Sequence, residues 1–144
     1  MREEKMIKST YRTSSRIHSR IRVKRIYEAA EPSDGVRVLV DRLWPRGVRK
    51  DRACLDAWMK DLSPSTPLRQ WLHADAARRW SKFSKRYEAE LAAHREALKQ
   101  LRRLARGKRL TLVTAAADVE HSHVPVLLQS LILRTAYRTQ SRIR

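Results

Sequence analysis

Two short segments carry most of the side chains able to do chemistry. The first is Asp41-Arg42-Leu43-Trp44-Pro45-Arg46-Gly47, and the second is Asp118-Val119-Glu120-His121-Ser122-His123. Guanidinium groups bind phosphate and carboxylate oxygens through paired N–H bonds, so Arg42 and Arg46 are candidate clamps for a small anionic ligand, phosphorylated or nucleotide-like. Trp44 and His123 complete the ligand-binding set. A carboxylate beside an imidazole orients it and raises its pKa, which makes Asp41, Asp118 and His121 the acid–base candidates of a catalytic site. Other roles compete with these. Asp41 can pair internally with Arg42 or Arg46 to fix its own loop, and Asp118 or Ser122 can serve as a helix cap.

Other chemistries find less support. His121 and His123 stand two residues apart, a spacing that does not share one helical face, and no cysteine or third histidine lies nearby. No metal is expected. There is no phosphate-loop, dinucleotide or triad motif, and with three glycines in the chain no Gly-rich cradle can form, so no cofactor is expected either. Cys54 has no base near it in sequence and suits a buried small side chain; His73, after Trp71-Leu72, suits a partly buried position at a helix end.

The elements that must position the two segments follow from apolar spacing. Ile21, Val23, Ile26 and Tyr27 form a short β-prone run, closed by the turn-rich Glu31-Pro32-Ser33-Asp34-Gly35. Val36, Val38, Leu39 and Val40 form a denser run that suits a central strand covered on both faces. Leu55 to Leu62 reads as a short helix. Ser65-Thr66-Pro67 is a helix start with proline in the first turn, carrying Leu68, Trp71 and Leu72. Asp75 can cap a further helix in which Trp80, Phe83, Tyr87 and Leu91 recur at helical steps as a core stripe; Leu98, Leu101 and Leu104 follow after a break near His94, up to Gly107. A third strand at 110–115 and a last helix over Val124 to Tyr137, with Pro125 in its first turn, complete the chain. The order is that of an α/β protein, a single domain with a small, mainly parallel sheet of three or more strands flanked by helices. In such a sheet ligands sit beyond the carboxyl ends of the strands, so the segments after the second and third strands are expected to converge.

Charge adds a second theme. The 144 residues carry a formal charge of +18. Residues 1–20 hold six bases against two acids, and residues 134–144 hold four arginines and no acid. Both read as poorly ordered basic arms around a domain at 21–133. The arms and the helical stretch from Arg78 to Arg109 suit non-specific phosphate contacts, so nucleic-acid binding without sequence readout is the alternative function. Arms of this kind also arise for solubility, or from a start codon set too far upstream. No apolar run approaches the roughly 20 residues of a membrane span, and the first twenty residues lack the apolar middle of a secretion signal. A cytoplasmic protein without membrane contact is expected, and the lone cysteine agrees with a reducing compartment.

The residues also carry a resemblance. Lys24-Arg25-Ile26-Tyr27-Glu28, Asp34-Gly35, Val38 to Gly47, Pro64-Ser65 with Leu68-Arg69, and Tyr87 to Leu91 are similar to the YeaO-like family, catalogued as domain of unknown function 488. The segment Thr111 to Leu127 resembles that family's last strand and helix. The match spans roughly 21–133, outside both arms. It implies a compact α/β domain of the bacterial cytoplasm, and marks Asp41, Arg42, Trp44, Pro45, Arg46 and Gly47 as signature positions, with no established activity to carry over. Ala117 departs from the pattern, standing where the family usually has a lysine or arginine before the aspartate; a ligand contact made by that base would be lost here or supplied from elsewhere.

Overall fold

The computed structural model describes residues 20–132. Four parallel strands form one sheet: β1 (Ile21–Arg25), β2 (Val36–Leu39), β3 (Ala57–Trp58) and β4 (Leu110–Thr114), in the spatial order β1-β4-β2-β3. Leu112 pairs with Val23 on one side and with Val38 on the other. The helices are α1 (Thr66–Ala74), α2 (Ala76–Ala93), α3 (Arg95–Ala105) and α4, which occupies 124–132. This is the expected α/β architecture. All four residues of β2 are buried, as a strand with neighbours on both sides and cover on both faces requires.

The two faces of the sheet are covered differently. Val36, Val38, Val40, Leu110 and Leu112 pack against Leu68, Phe83, Tyr87, Leu91, Leu98, Leu101, Val124 and Leu127 in one core. Each fully buried leucine of that layer contributes about 1.5–3 kcal/mol relative to exposure. The stripe of Phe83, Tyr87 and Leu91 is core as expected, with Trp80 half-buried at its edge. On the other face, Leu39 and Val113 meet Ile26 and Ala53, with Trp44, Val48, Leu55 and Trp58 packed around them. Irregular chain at 40–56 supplies much of that cover.

Local signals account for most element ends. The Ser65 hydroxyl accepts the Leu68 N–H, with proline inside the first turn of α1. His94 separates α2 from α3, and Gly107, at φ +72°, ends the α3 turn in a left-handed conformation. Asp75 precedes α2 without a side-chain cap bond. Pro125 sits in the first turn of α4; the helix end expected at Tyr137 lies outside the described residues, as do the basic arms at 1–20 and 134–144 except for Arg20.

Four local expectations are corrected. The stretch from Leu55 to Leu62 is not a helix but the edge strand β3 followed by a 3-10 turn over Lys60–Leu62. From Ala57 to Met59 the side chains alternate, Ala57 and Met59 on the helical face and Trp58 on the loop-covered face, which Leu55, before the strand, also joins. The Asp56 N–H donates to the Arg37 carbonyl (2.8 Å) and the Met59 N–H to Leu39 (2.9 Å), so pairing with β2 overrides local propensity. Cys54 is exposed rather than buried, at φ +53° in the turn that enters β3. His73 is exposed in the last turn of α1, and Leu104 is turned out to solvent.

Candidate functional site

Because β2 and β4 are parallel neighbours, the segments after them leave at the same end of the sheet. Asp41 is fixed there. Its Oδ1 accepts the Thr114 hydroxyl and its Oδ2 the Ala115 N–H, both at 2.7 Å. The His123 imidazole enters from the start of α4; its Nε2 lies 2.8 Å from the Val40 carbonyl and 3.5 Å from Asp41 Oδ1. A carbonyl only accepts, so Nε2 carries the proton in this arrangement. Burial pushes the His123 pKa below the usual histidine value, and the Asp41 carboxylate opposes that shift. The His123 and Tyr87 rings meet at a steep angle, 80° between planes, and the Tyr87 hydroxyl donates to the Leu62 carbonyl.

The remaining signature side chains hold the loop. Arg42 Nε donates to the Pro64 carbonyl at 3.0 Å. Trp44 donates to the Val48 carbonyl and Trp58 to the Asp41 carbonyl, both at 2.7 Å, and the two indoles meet edge to face. Arg46 is exposed, and its carbonyl accepts from the Tyr27 hydroxyl. Asp118 and His121 form an exposed pair, Oδ2 to Nδ1, at 2.8 Å. That bond holds the Asp118 carboxyl below its usual range. Asp118 also caps the turn it begins, and the Ser122 hydroxyl accepts the Val124 N–H at the start of α4.

The structure thus brings Asp41 together with His123, and Asp118 together with His121. Among the described residues no hydrogen bond or ion pair joins Asp41 or Arg46 to Asp118 or His121. Asp41 pairs with neither Arg42 nor Arg46; Arg42 instead takes up the structural role through backbone carbonyls. Thr114 was missed in the sequence, because a threonine ending a strand carries no signal of its partner across the sheet.

A second surface stands on the helical layer. Residues 76–109 hold twelve lysines and arginines against three glutamates. On α2 the core stripe is Phe83, Tyr87 and Leu91, while Arg78, Lys82, Lys85 and Arg86 are exposed. On α3 the core positions are Ala97, Leu98 and Leu101, while Arg95, Lys99, Arg103 and Arg106 are exposed at three- and four-residue steps. Such steps line a helix side, and α3 presents these bases over about 16 Å at 1.5 Å per residue. Of the three glutamates, Glu90 accepts from the Ser65 hydroxyl and N–H, and Glu96 pairs with Lys99.

Fold and surface define a small parallel α/β domain with a strongly basic helical layer. The family profile described as the inactive DUF488-N3 subclade matches residues 20–142, and the chain belongs to that family. It is 46% identical over 113 residues to an uncharacterized protein of Mycobacterium tuberculosis, covering 78% of this chain and 94% of that protein. It is 44% identical over 107 residues to the uncharacterized protein YeaO of Escherichia coli, covering 74% of this chain and 92% of that protein. No solved structure matches the chain. Among the described residues no helix is long and apolar enough to cross a membrane, and no group of three or more His, Cys, Asp or Glu is placed to hold a metal ion.

Proposed function

We propose that the protein binds nucleic acid through its phosphates, without sequence readout and without chemistry on the ligand, using the outward face of α2 and α3. The excess of twelve bases over three acids at 76–109, with Glu90 and Glu96 already engaged, carries this reading. Bases in the last turn of α3 also favour that helix end, but Arg95 and Lys99 lie outside that turn, and α2 has no base in its last turn at all. The basic arms at 1–20 and 134–144 add phosphate contacts. The family's description as inactive supports binding in place of catalysis.

The test is a titration of the full chain with a short duplex at two salt concentrations. Affinity is expected to fall steeply with salt, and changing Lys82, Lys85, Arg95, Lys99, Arg103 and Arg106 to glutamine should flatten the slope by roughly one unit per lost contact. A chain that fails to bind duplex at low salt, or a six-site variant with an unchanged slope, overturns the reading.

A second reading rests on the exposed Asp118–His121 pair, which follows the strand next to the one that leads to exposed Arg46. In it, Arg42, Trp44, Arg46 and His123 form the binding site for a small anionic ligand, and Asp41, Asp118 and His121 supply acid–base groups. Arg46→Ala should then abolish binding of phosphorylated metabolites and leave duplex affinity nearly intact. Failure of the unaltered chain to bind any metabolite in such a panel removes this reading.

A further inference from the structure

One point on the basic face differs from the rest. The Arg79 and Arg86 guanidinium carbons lie 4.9 and 4.5 Å from the centre of the Trp71 ring, on the neighbouring helix α1. Arg79 also donates to the Trp71 carbonyl at 2.8 Å. No carboxylate pairs with either arginine among the described residues, although the next base along α2, Arg78, has Asp75 at 3.9 Å. Two cations are therefore gathered on one indole without a counter-anion, an arrangement whose repulsion a bound anion would relieve.

We propose that Arg79 and Arg86, held by Trp71, are the phosphate anchor of the α2–α3 face. The proposal deepens the nucleic-acid reading and rests on it for the source of the phosphate. Order matters here as well as charge. Lys82 and Lys85 are exposed ammonium groups on flexible stems, and each contact they make costs rotamer freedom. A guanidinium lying against an aromatic ring has lost much of that freedom beforehand, and its planar fork can offer two N–H donors to a phosphodiester's two unesterified oxygens. Arg79 is half-buried and Arg86 exposed, so the pair sits where the layer meets solvent.

Charge-conserving variants of the full chain separate an anchor from a general cationic surface. Arg79→Lys and Arg86→Lys keep the charge but lose the fork, whereas Arg78→Lys and Arg103→Lys make the same change at exposed arginines that stack on no ring. In a duplex titration at fixed salt, the first two should each weaken binding about fivefold or more, and the last two less than about twofold. Equal losses at all four positions overturn the anchor and leave the broader reading intact. Inorganic phosphate, followed by indole fluorescence, supplies a second arm. A phosphate-dependent change present in the unaltered chain and lost in Arg86→Lys, with no duplex binding, supports the anchor with a free phosphate as its ligand and overturns the nucleic-acid source. No response to either probe overturns both.

Discussion

Asp41 and Thr114 meet at 2.7 Å across two parallel strands, and the same carboxylate takes the next backbone N–H at Ala115. The loop after β2 is thereby tied to the end of β4 at the end of the sheet where α/β folds place their ligands. In this chain the contact uses one lone pair of each carboxylate oxygen on the protein itself. A carboxylate fixed in this way has a clear structural cost on removal, which separates its framework role from any chemical one.

Asp41→Ala should lower the unfolding free energy by about 2–4 kcal/mol, because it strands the Thr114 hydroxyl and the Ala115 N–H near the end of the sheet. Thr114→Val keeps the shape but removes two bonds, the one donated to Asp41 and the one accepted from the Ala116 N–H at 3.1 Å, and should cost about 2 kcal/mol. Urea unfolding of the two single variants and the double variant checks this. The double variant should lose less than the sum of the singles; simple additivity would mean that the two side chains do not act together.

The Asp34 side chain is fully buried and gathers Arg37 at 2.6 Å, Lys24 at 2.9 Å and Arg22 at 3.4 Å. Burial alone would raise its pKa, but the Lys24 bond, the Glu31 N–H and Arg37 together bring it down to about 2. A depressed carboxylate stabilises the fold above its unfolded value, and that contribution is lost as pH falls from about 4 toward 2. Asp34→Asn should remove this acid-range dependence. It should also cost on the order of 3 kcal/mol at neutral pH, since Arg37 stays buried without its counter-charge. Chemical denaturation at several pH values tests both; an Asn variant as stable as the parent at neutral pH would show that the network contributes little.

Gly35 sits at φ +67°, and a Cβ there would lie 2.2 Å from the Arg109 carbonyl oxygen. That oxygen accepts the Val36 N–H at 2.8 Å, so the neighbour is backbone already committed to the sheet and cannot yield cheaply. Gly35→Ala should therefore destabilise by about 2 kcal/mol or more. A melting temperature equal to the parent's would mean that the β2 entry is free to move.

How much of this was legible follows from which physical signals are local. Helical periodicity placed Phe83, Tyr87 and Leu91 in the core, and the cap and proline at Ser65–Pro67 placed the start of α1. The dense apolar run at 36–40 revealed a strand buried on both faces. The candidate segments stand out because polar residues follow strands, and their departure at one end of the sheet follows from parallel pairing. Pairings made across the fold left no local trace. The partner of Asp41 is Thr114, not an adjacent arginine, and Asp34 looked like a turn residue although three cations surround it. β3 was misread as helix because two paired residues carry too little period to compete with a run of apolar positions, and their strand character comes from β2.

His123 directs its Nε2 proton to the Val40 carbonyl, with Asp41 on one side and the Tyr87 ring, at a steep angle, on another. Burial lowers its pKa from 6.5, Asp41 and the Val40 carbonyl oppose that, and His73 adds to it. A folded value below the unfolded one means that the unfolded chain binds the proton more readily as pH falls. The contribution is therefore complete above about pH 6.5 and lost progressively below it. Replacing His123 with glutamine, which retains a donor for Val40, should reduce the loss of stability between pH 7.5 and pH 5 relative to the parent. Imidazole titration by NMR should give His123 a midpoint below the ordinary histidine value. A midpoint above the ordinary histidine value would show that the attraction of Asp41 outweighs burial; the sign of the pH dependence would then reverse, and His123 would be a protonated partner of Asp41 near neutrality.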